Sequence, residues 1–115
     1  MDLNHLHIHV SDIDRSKRFY QNYLGFRERV RHGDILFLRN EHGFDLALAP
    51  DPQHEPLPSW FHFGFRLPAP EAVRAIHGRM SSADVTIEGP MFEAQDRVSF
   101  QCADPDGYAI EIYWE

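Results

Sequence analysis

Strict alternation of polar and apolar residues near the amino terminus constrains the fold more than any other feature of the chain. From His5 to Val10, apolar residues occupy every second position. A period of two is typical of a half-buried strand, whose apolar side chains face a core while the others point the opposite way. The opposite face of this strand therefore carries three histidines, His5, His7 and His9.

The same pattern recurs in the second half of the chain. Phe61, Phe63 and Phe65 alternate with His62, Gly64 and Arg66, and His62 stands 57 positions after His5. After each alternating strand comes a helical pattern and then three short strands. In the first half we predict a helix over 11–24, with Ser11 as its N-cap, and strands over 26–31, 35–38 and 44–49. In the second half we predict a helix beginning at Pro70 and strands near 85–88, 97–102 and 108–114.

A duplicated unit of this kind sets the architecture, because one helix is too little to cover a four-stranded sheet on its own. We therefore predict an α+β fold in which two paired βαβββ modules form a curved mixed sheet around a metal or ligand cleft. The 115 residues fit one domain. Its first module covers about 1–49, a proline-rich connector covers 50–59, and the second module covers about 60–115.

Composition excludes several classes of protein. Eleven Lys and Arg against eighteen Asp and Glu give a formal charge of −7 with no basic stripe, so we expect no nucleic-acid partner. The lone Cys102 rules out an intramolecular disulfide framework. No apolar stretch approaches the ~20 residues of a membrane span, and no signal peptide is visible. We expect a cytoplasmic protein that contacts no membrane.

Strand parity also directs metal-ligating side chains towards one another. In the last strand Ile110 and Ile112 belong to the apolar set, which leaves Glu111 on the polar face. If the helices cover the apolar faces, imidazoles from the two alternating strands and this carboxylate converge on the concave face. Two neutral imidazoles and one carboxylate make a facial metal site with open coordination positions, suited to iron(II), manganese(II), nickel(II) or zinc(II).

Three motifs resemble those of the vicinal oxygen chelate superfamily, which contains glyoxalases, bleomycin resistance proteins and extradiol dioxygenases. Residues 5–12 together with Phe19-Tyr20 and Leu24-Gly25-Phe26 resemble the opening of such a protein, and residues 61–65 the start of its second module. Residues 104–111 resemble its closing motif, in which a tight turn leads into the last strand. The resemblance covers nearly the whole chain. It implies a homodimer of paired βαβββ modules and a divalent metal held by His5, His62 and Glu111.

Departures from individual family members bear on the reaction. The resemblance to glyoxalase I implies a fourth ligand, a glutamate, on the strand 44–49, where this chain has Ala47 with Asp45 on the same face. Whether Asp45 replaces that ligand is open. Thiol transferases that inactivate fosfomycin carry a tyrosine where this chain has Gln101. Lyase, isomerase, dioxygenase and thiol-transferase chemistry all remain open, since the fold alone does not name a reaction.

Four further side chains are candidates for contacts with a substrate. His7 lies on the same face as His5, about 6.8 Å along the strand, and is a candidate acid–base group or a polar residue that only lines the cleft. Arg66 is a candidate for binding an anionic group or an exposed rim residue. Gln101 and Tyr113 are candidates for lining the cleft. His9 is a weaker candidate than His7, because it lies further towards the end of the strand, and His32, His42, His54 and His77 are expected to be solvated or packed.

Two functions fit these observations. The first is a divalent-metal-dependent enzyme acting on a small molecule that chelates the metal through two neighbouring oxygens. The second is a non-catalytic protein that binds a small molecule or an antibiotic, as bleomycin resistance proteins do. The acidic charge and the aromatic content of 13% suit the second, but it leaves the two histidines and the glutamate unexplained.

Overall fold

The computed structural model describes all 115 residues and divides them into two compact units, Met1–Glu55 and Pro56–Glu115. Each unit contains a strand, a helix and three further strands, so the predicted α+β fold of two βαβββ modules is confirmed. Neither helix combines the length and the apolar character that a membrane span requires.

The first unit builds a mixed four-stranded sheet in the order β1-β4-β3-β2. Strand β1 is parallel to β4, and the other neighbours are antiparallel. The elements are β1 (His5–Val10), α1 (Ile13–Leu24), β2 (Arg27–His32), β3 (Ile35–Arg39) and β4 (Asp45–Pro50).

The second unit repeats this topology, with the sheet order β5-β8-β7-β6 and β5 parallel to β8. Its remaining neighbours are antiparallel. The elements are β5 (His62–Arg66), α2 (Pro70–Ser82), β6 (Ile87–Ala94), β7 (Arg97–Ala103) and β8 (Ala109–Trp114).

The predicted strand parity is observed in both units. Ile8 and Val10 of β1 are buried, while His5, His7 and His9 are exposed. In β8, Ile110 and Ile112 are fully buried and Glu111 between them is only half-buried. Burying one aliphatic side chain is worth about 1.5–3 kcal/mol. A shift of either strand by one residue would expose its apolar side chains and lose several of these contributions at once. The register is therefore fixed, and with it the face on which each polar side chain lies.

The N-cap of helix α1 lies one residue later than predicted, at Asp12 and not at Ser11, and the helix runs from Ile13. The backbone of Asp12 is extended and its carboxylate accepts a hydrogen bond from the backbone N–H of Arg15 at 3.1 Å. Serine and aspartate are equally common N-caps, so the sequence alone did not show which of Ser11 and Asp12 caps the helix. The helix ends as predicted at Gly25, whose φ of +71° is the left-handed conformation that glycine favours.

Strand β6 is longer than the sequence pattern indicates. We predicted a strand only near 85–88, whereas β6 continues to Ala94. Gly89 and Pro90 are typical of a turn, but here they lie within an irregularity of the β6–β7 register between Glu88 and Phe92. Gly89 has a φ of +73°. The strand bends at this bulge and continues.

The turn before β8 is held by hydrogen bonds to one buried carboxylate. Asp104 is 5% exposed, and its Oδ1 accepts from the backbone N–H groups of Asp106 and Tyr108 at 2.9 Å each. Gly107 closes the turn by donating to the Asp104 carbonyl at 2.9 Å, with a φ of +88°. The turn fixes where β8 begins, and therefore where Glu111 lies.

Candidate functional site

A cavity of about 330 Å³ lies on the polar face of β5 and β8, within the second unit. Polar and charged side chains from three strands meet there, together with one glycine and two aromatic residues. The lining residues are His62, Phe63, Gly64, Arg97, Glu111, Tyr113 and Glu115.

His62 and Glu111 come together on adjacent parallel strands of this cavity. The His62 Nε2 lies 3.5 Å from the Glu111 Oε2. On the other side of the ring, Nδ1 lies 3.4 Å from the carbonyl oxygen of Trp60. A hydrogen on Nδ1 directed at this carbonyl leaves the Nε2 lone pair facing Glu111, and backbone carbonyls orient metal-ligating histidines in this way.

Arg97, which the sequence analysis did not single out, is the second partner of Glu111. Its Nη2 donates a hydrogen bond to the Glu111 Oε1, and its Nη1 donates to the Glu115 Oε2 at 2.7 Å. The guanidinium also lies over the Tyr113 ring, 5.0 Å from its centroid. The alternation of β7 contained the signal. Val98 and the apolar residues that follow it at every second position are buried, which puts Arg97 on the polar face.

Gly64 forms the floor of the cavity between the two strands. It is the register partner of Glu111 in the β5–β8 ladder. A Cβ atom at this position would lie 3.2 Å from the backbone oxygen of Glu111 and 3.6 Å from the Tyr113 ring. The absence of a side chain therefore keeps open the space beside Glu111 and Tyr113.

Of three predicted substrate contacts in the second unit, one lines the cavity and two do not. Tyr113 lines the cavity beside Glu111. Gln101 is the β7 register partner of Glu111, and Arg66 is the β5 partner of Tyr113, yet neither is among the lining residues.

His5 and His7 belong to the first unit. The His5 Nδ1 lies 2.8 Å from the Asn4 Oδ1, and both histidines are exposed. The His7 ring is tilted against that of His9, with 5.4 Å between the centroids. His9 in turn hydrogen-bonds Asp51 at 3.0 Å, which lowers the pKa of that carboxyl group. In neither unit are three His, Cys, Asp or Glu side chains grouped in a way that would hold a metal ion.

Asp45 is bound by arginines. The Arg39 Nε and Nη2 donate to its two oxygens at 2.6 and 3.0 Å, and the Arg29 Nη2 lies 3.2 Å away. The hydrogen bond from Arg39 lowers the pKa of Asp45. Ala47 faces His7 across β1 and β4, as Glu111 faces Gly64 in the second unit. The β1–β4 register has no shift that would bring Asp45 to the position of Ala47.

Comparison with known proteins identifies the family. The family model of the Glyoxalase/Bleomycin resistance protein/Dioxygenase superfamily matches residues 2–112. The chain belongs to this superfamily. The resemblance drawn from the sequence motifs is therefore confirmed.

Two curated relatives align with nearly the whole chain. The metallothiol transferase FosB of Lysinibacillus sphaericus is 25% identical over 114 residues, covering 96% of this chain and 80% of the relative. An uncharacterised protein of Pseudomonas aeruginosa is 31% identical over 121 residues, covering 96% and 86%.

Solved structures of superfamily members agree with the fold. A possible glyoxalase from Bacillus cereus is 26% identical, with a TM-score of 0.84 over 97% of each chain. The fosfomycin resistance protein FosX from Listeria monocytogenes has a TM-score of 0.86 over 100% of this chain and 93% of its own. At 18% identity the likeness to FosX shows the fold alone.

Proposed function

We propose that the protein is a divalent-metal-dependent enzyme of the superfamily, acting on a small molecule that offers two neighbouring oxygens. The observation that carries this proposal is the approach of His62 and Glu111 to 3.5 Å at the edge of a cavity. At about 330 Å³ the cavity lies at the lower end of the range for ligand sites, roughly 300–1,000 Å³. A small substrate fits that volume.

The donor atoms present fit a divalent transition metal. Imidazole nitrogen and carboxylate oxygen together suit iron(II), manganese(II), nickel(II) and zinc(II). His62 and Glu111 supply two donors within one unit, and the Trp60 carbonyl supports the tautomer of His62 that binding requires. We propose His5 as the third ligand, on the strength of the family motif. A bound divalent ion supplies a Lewis acid that stabilises negative charge developing on a chelating substrate.

The other candidate side chains are proposed to bind the substrate or to move a proton. Tyr113 presents its ring and hydroxyl group to the cavity, where it can pack against a substrate and orient it. We propose that Gln101 and Arg66, register neighbours of Glu111 and Tyr113, contact the outer part of a bound molecule. His7, exposed on the same face as His5, is proposed to move a proton at its imidazole nitrogen.

The proposal covers lyase, isomerase, dioxygenase and thiol-transfer chemistry, since the fold alone does not choose among them. The metallothiol transferase FosB among the relatives supports the last of these. Gln101 argues against a close match to that activity, because the resemblance implies a tyrosine at its position.

Metal content is the direct test. Elemental analysis is made on protein purified without a histidine tag or chelators, and again after addition of each of the four ions. We expect about one ion per chain, lost in His5→Ala, His62→Ala and Glu111→Ala. His42→Ala is the matched control, because it removes an imidazole that is 82% exposed in a turn. A wild-type protein that takes up none of the four ions contradicts the proposal and favours the non-catalytic binding function.

We further propose a homodimer, as the family resemblance implies, and a cytoplasmic location, with which the single cysteine is compatible. Light scattering coupled to size-exclusion chromatography tests the assembly. A dimer gives twice the mass of the chain, and a mass equal to one chain at all concentrations contradicts it.

A further inference from the structure

We propose that Arg97 is a counter-ion that a metal must displace from Glu111, so that this arginine sets the metal affinity of the site. The inference rests on the proposed function, because it takes Glu111 as a metal ligand. It concerns a residue that no sequence motif marked.

The two oxygens of Glu111 have different neighbours in the structure. The Oε2 faces the His62 Nε2 at 3.5 Å, and the Oε1 accepts a hydrogen bond from the Arg97 Nη2. A divalent ion held by this carboxylate would bring a double positive charge close to the guanidinium. The two cations then compete for one carboxylate group.

The partial burial of this pair makes the competition significant. The Glu111 side chain is 21% exposed and that of Arg97 is 33% exposed. Water screens such a pair less than it screens ion pairs that are fully exposed. Hydrogen bonds between two charged groups are also stronger than those between neutral groups. A metal must therefore replace an interaction that the free protein already has.

Arg97 has a second set of contacts that can hold it after displacement. Its Nη1 binds Glu115 at 2.7 Å, and its guanidinium packs on the face of Tyr113 at 5.0 Å. Glu115 lies outside the proposed ligand set and is 53% exposed, so it can follow the guanidinium. Movement of Arg97 away from Glu111 then leaves no buried charge without a partner.

If Arg97 competes with the metal, its removal changes the metal affinity in the opposite direction from that expected if it only positions Glu111. A residue that only orients a ligand strengthens metal binding, and its loss typically weakens binding by about 10–100-fold. A residue that competes for the ligand weakens metal binding, and its loss strengthens it. The direction of the change in affinity therefore separates the two roles.

Calorimetric titration of metal-free protein with manganese(II) and with zinc(II) provides the test. We expect Arg97→Gln to bind about tenfold more tightly than the wild type, as removal of one charged hydrogen bond implies. Arg97→Lys, which keeps the charge but loses the planar fork, falls between them. Arg74→Gln is the matched control. It removes the same charge from an exposed pair with Glu93, away from the cavity, and its Kd stays within about twofold of the wild type.

The outcomes separate this inference from the function on which it rests. Tighter binding by Arg97→Gln than by the wild type supports the competition. Equal or weaker binding by Arg97→Gln, with a wild type that binds, overturns the inference and leaves the metal site intact. Failure of both proteins to bind overturns both proposals. Thermal unfolding of each variant confirms that it is folded, and the Lys variant supplies the comparison if the Gln variant is not.

Discussion

The two units share one topology but differ in what surrounds their acidic residue. In the first unit the acid is Asp45, which two arginines bind. In the second unit it is Glu111, which lies two register positions further along its strand, beside one arginine and one histidine. The first arrangement neutralises a charge on the sheet. The second leaves a carboxylate oxygen facing an imidazole nitrogen.

Burial explains why the equivalent positions differ. Ala47, which corresponds to Glu111 in register, is 3% exposed, and Ala49 after it is 8% exposed. Glu111 is 21% exposed and lines a cavity. A carboxylate is tolerated where water or a cation can reach it, and it is costly where neither can. The comparison shows that duplication of a fold does not duplicate a site.

A glutamate at position 47 of the first unit, which corresponds to Glu111 in the second, should change the free energy of unfolding more than any other substitution discussed below. We expect Ala47→Glu to lower the free energy of unfolding by about 3 kcal/mol, because it buries a carboxylate with no partner. Urea denaturation measures this change. Glu111→Ala is the control and should cost less than about 1 kcal/mol, since Arg97 retains Glu115. Equal costs for the two substitutions would remove the distinction between the units.

Removing the acid of the first unit should have a smaller effect that depends on pH. We expect Asp45→Asn to cost about 1 kcal/mol at pH 7, since it replaces charged hydrogen bonds from Arg39 by weaker ones. The pKa of Asp45 is lowered on folding, so its contribution is full above the unfolded value near 3.8 and is lost as the pH falls through the folded value. The stability difference from the wild type should therefore shrink below about pH 4.

Urea denaturation at pH 7 and at pH 3 measures that difference. Asp34→Asn, in the turn between β2 and β3, is the control and should change stability little at either pH. A cost for Asp45→Asn that is the same at both pH values would show that the arginine pairing does not stabilise the first unit.

The smallest expected signal is the labelling of a core cysteine by a thiol reagent, at a position that the two units fill with different residues. Cys102 pairs with Ile110 as Leu38 pairs with Leu46, and both Cys102 and Leu38 are fully buried. Burial raises the pKa of the Cys102 thiol to about 12. We expect no reaction with a disulfide reagent in the native protein and one thiol per chain in urea, read by absorbance. Rapid labelling of the native protein would show that the second core opens more readily than its burial indicates.

Much of the fold followed from local patterns. The alternation in β1 and β8 predicted which side chains face each core, because one wrong step would expose several aliphatic groups to water. The turn at Asp104–Gly107 was recognisable from its residues. The end of β6 and the first residue of α1 were not, since Gly89-Pro90 suits a bulge as well as a turn and Ser11 suits a cap as well as Asp12.

The sequence by itself determined the class of fold, the family and the face on which His62 and Glu111 lie. These follow from a period of two and from motifs that are contiguous in the chain. Only the tertiary structure decided that Arg97 holds Glu111, that Gly64 opens the cavity beside it, and that arginines bind Asp45. Those contacts join different strands of a sheet. A side chain's partner across a sheet depends on register and on the path of the neighbouring strands, which no local pattern contains.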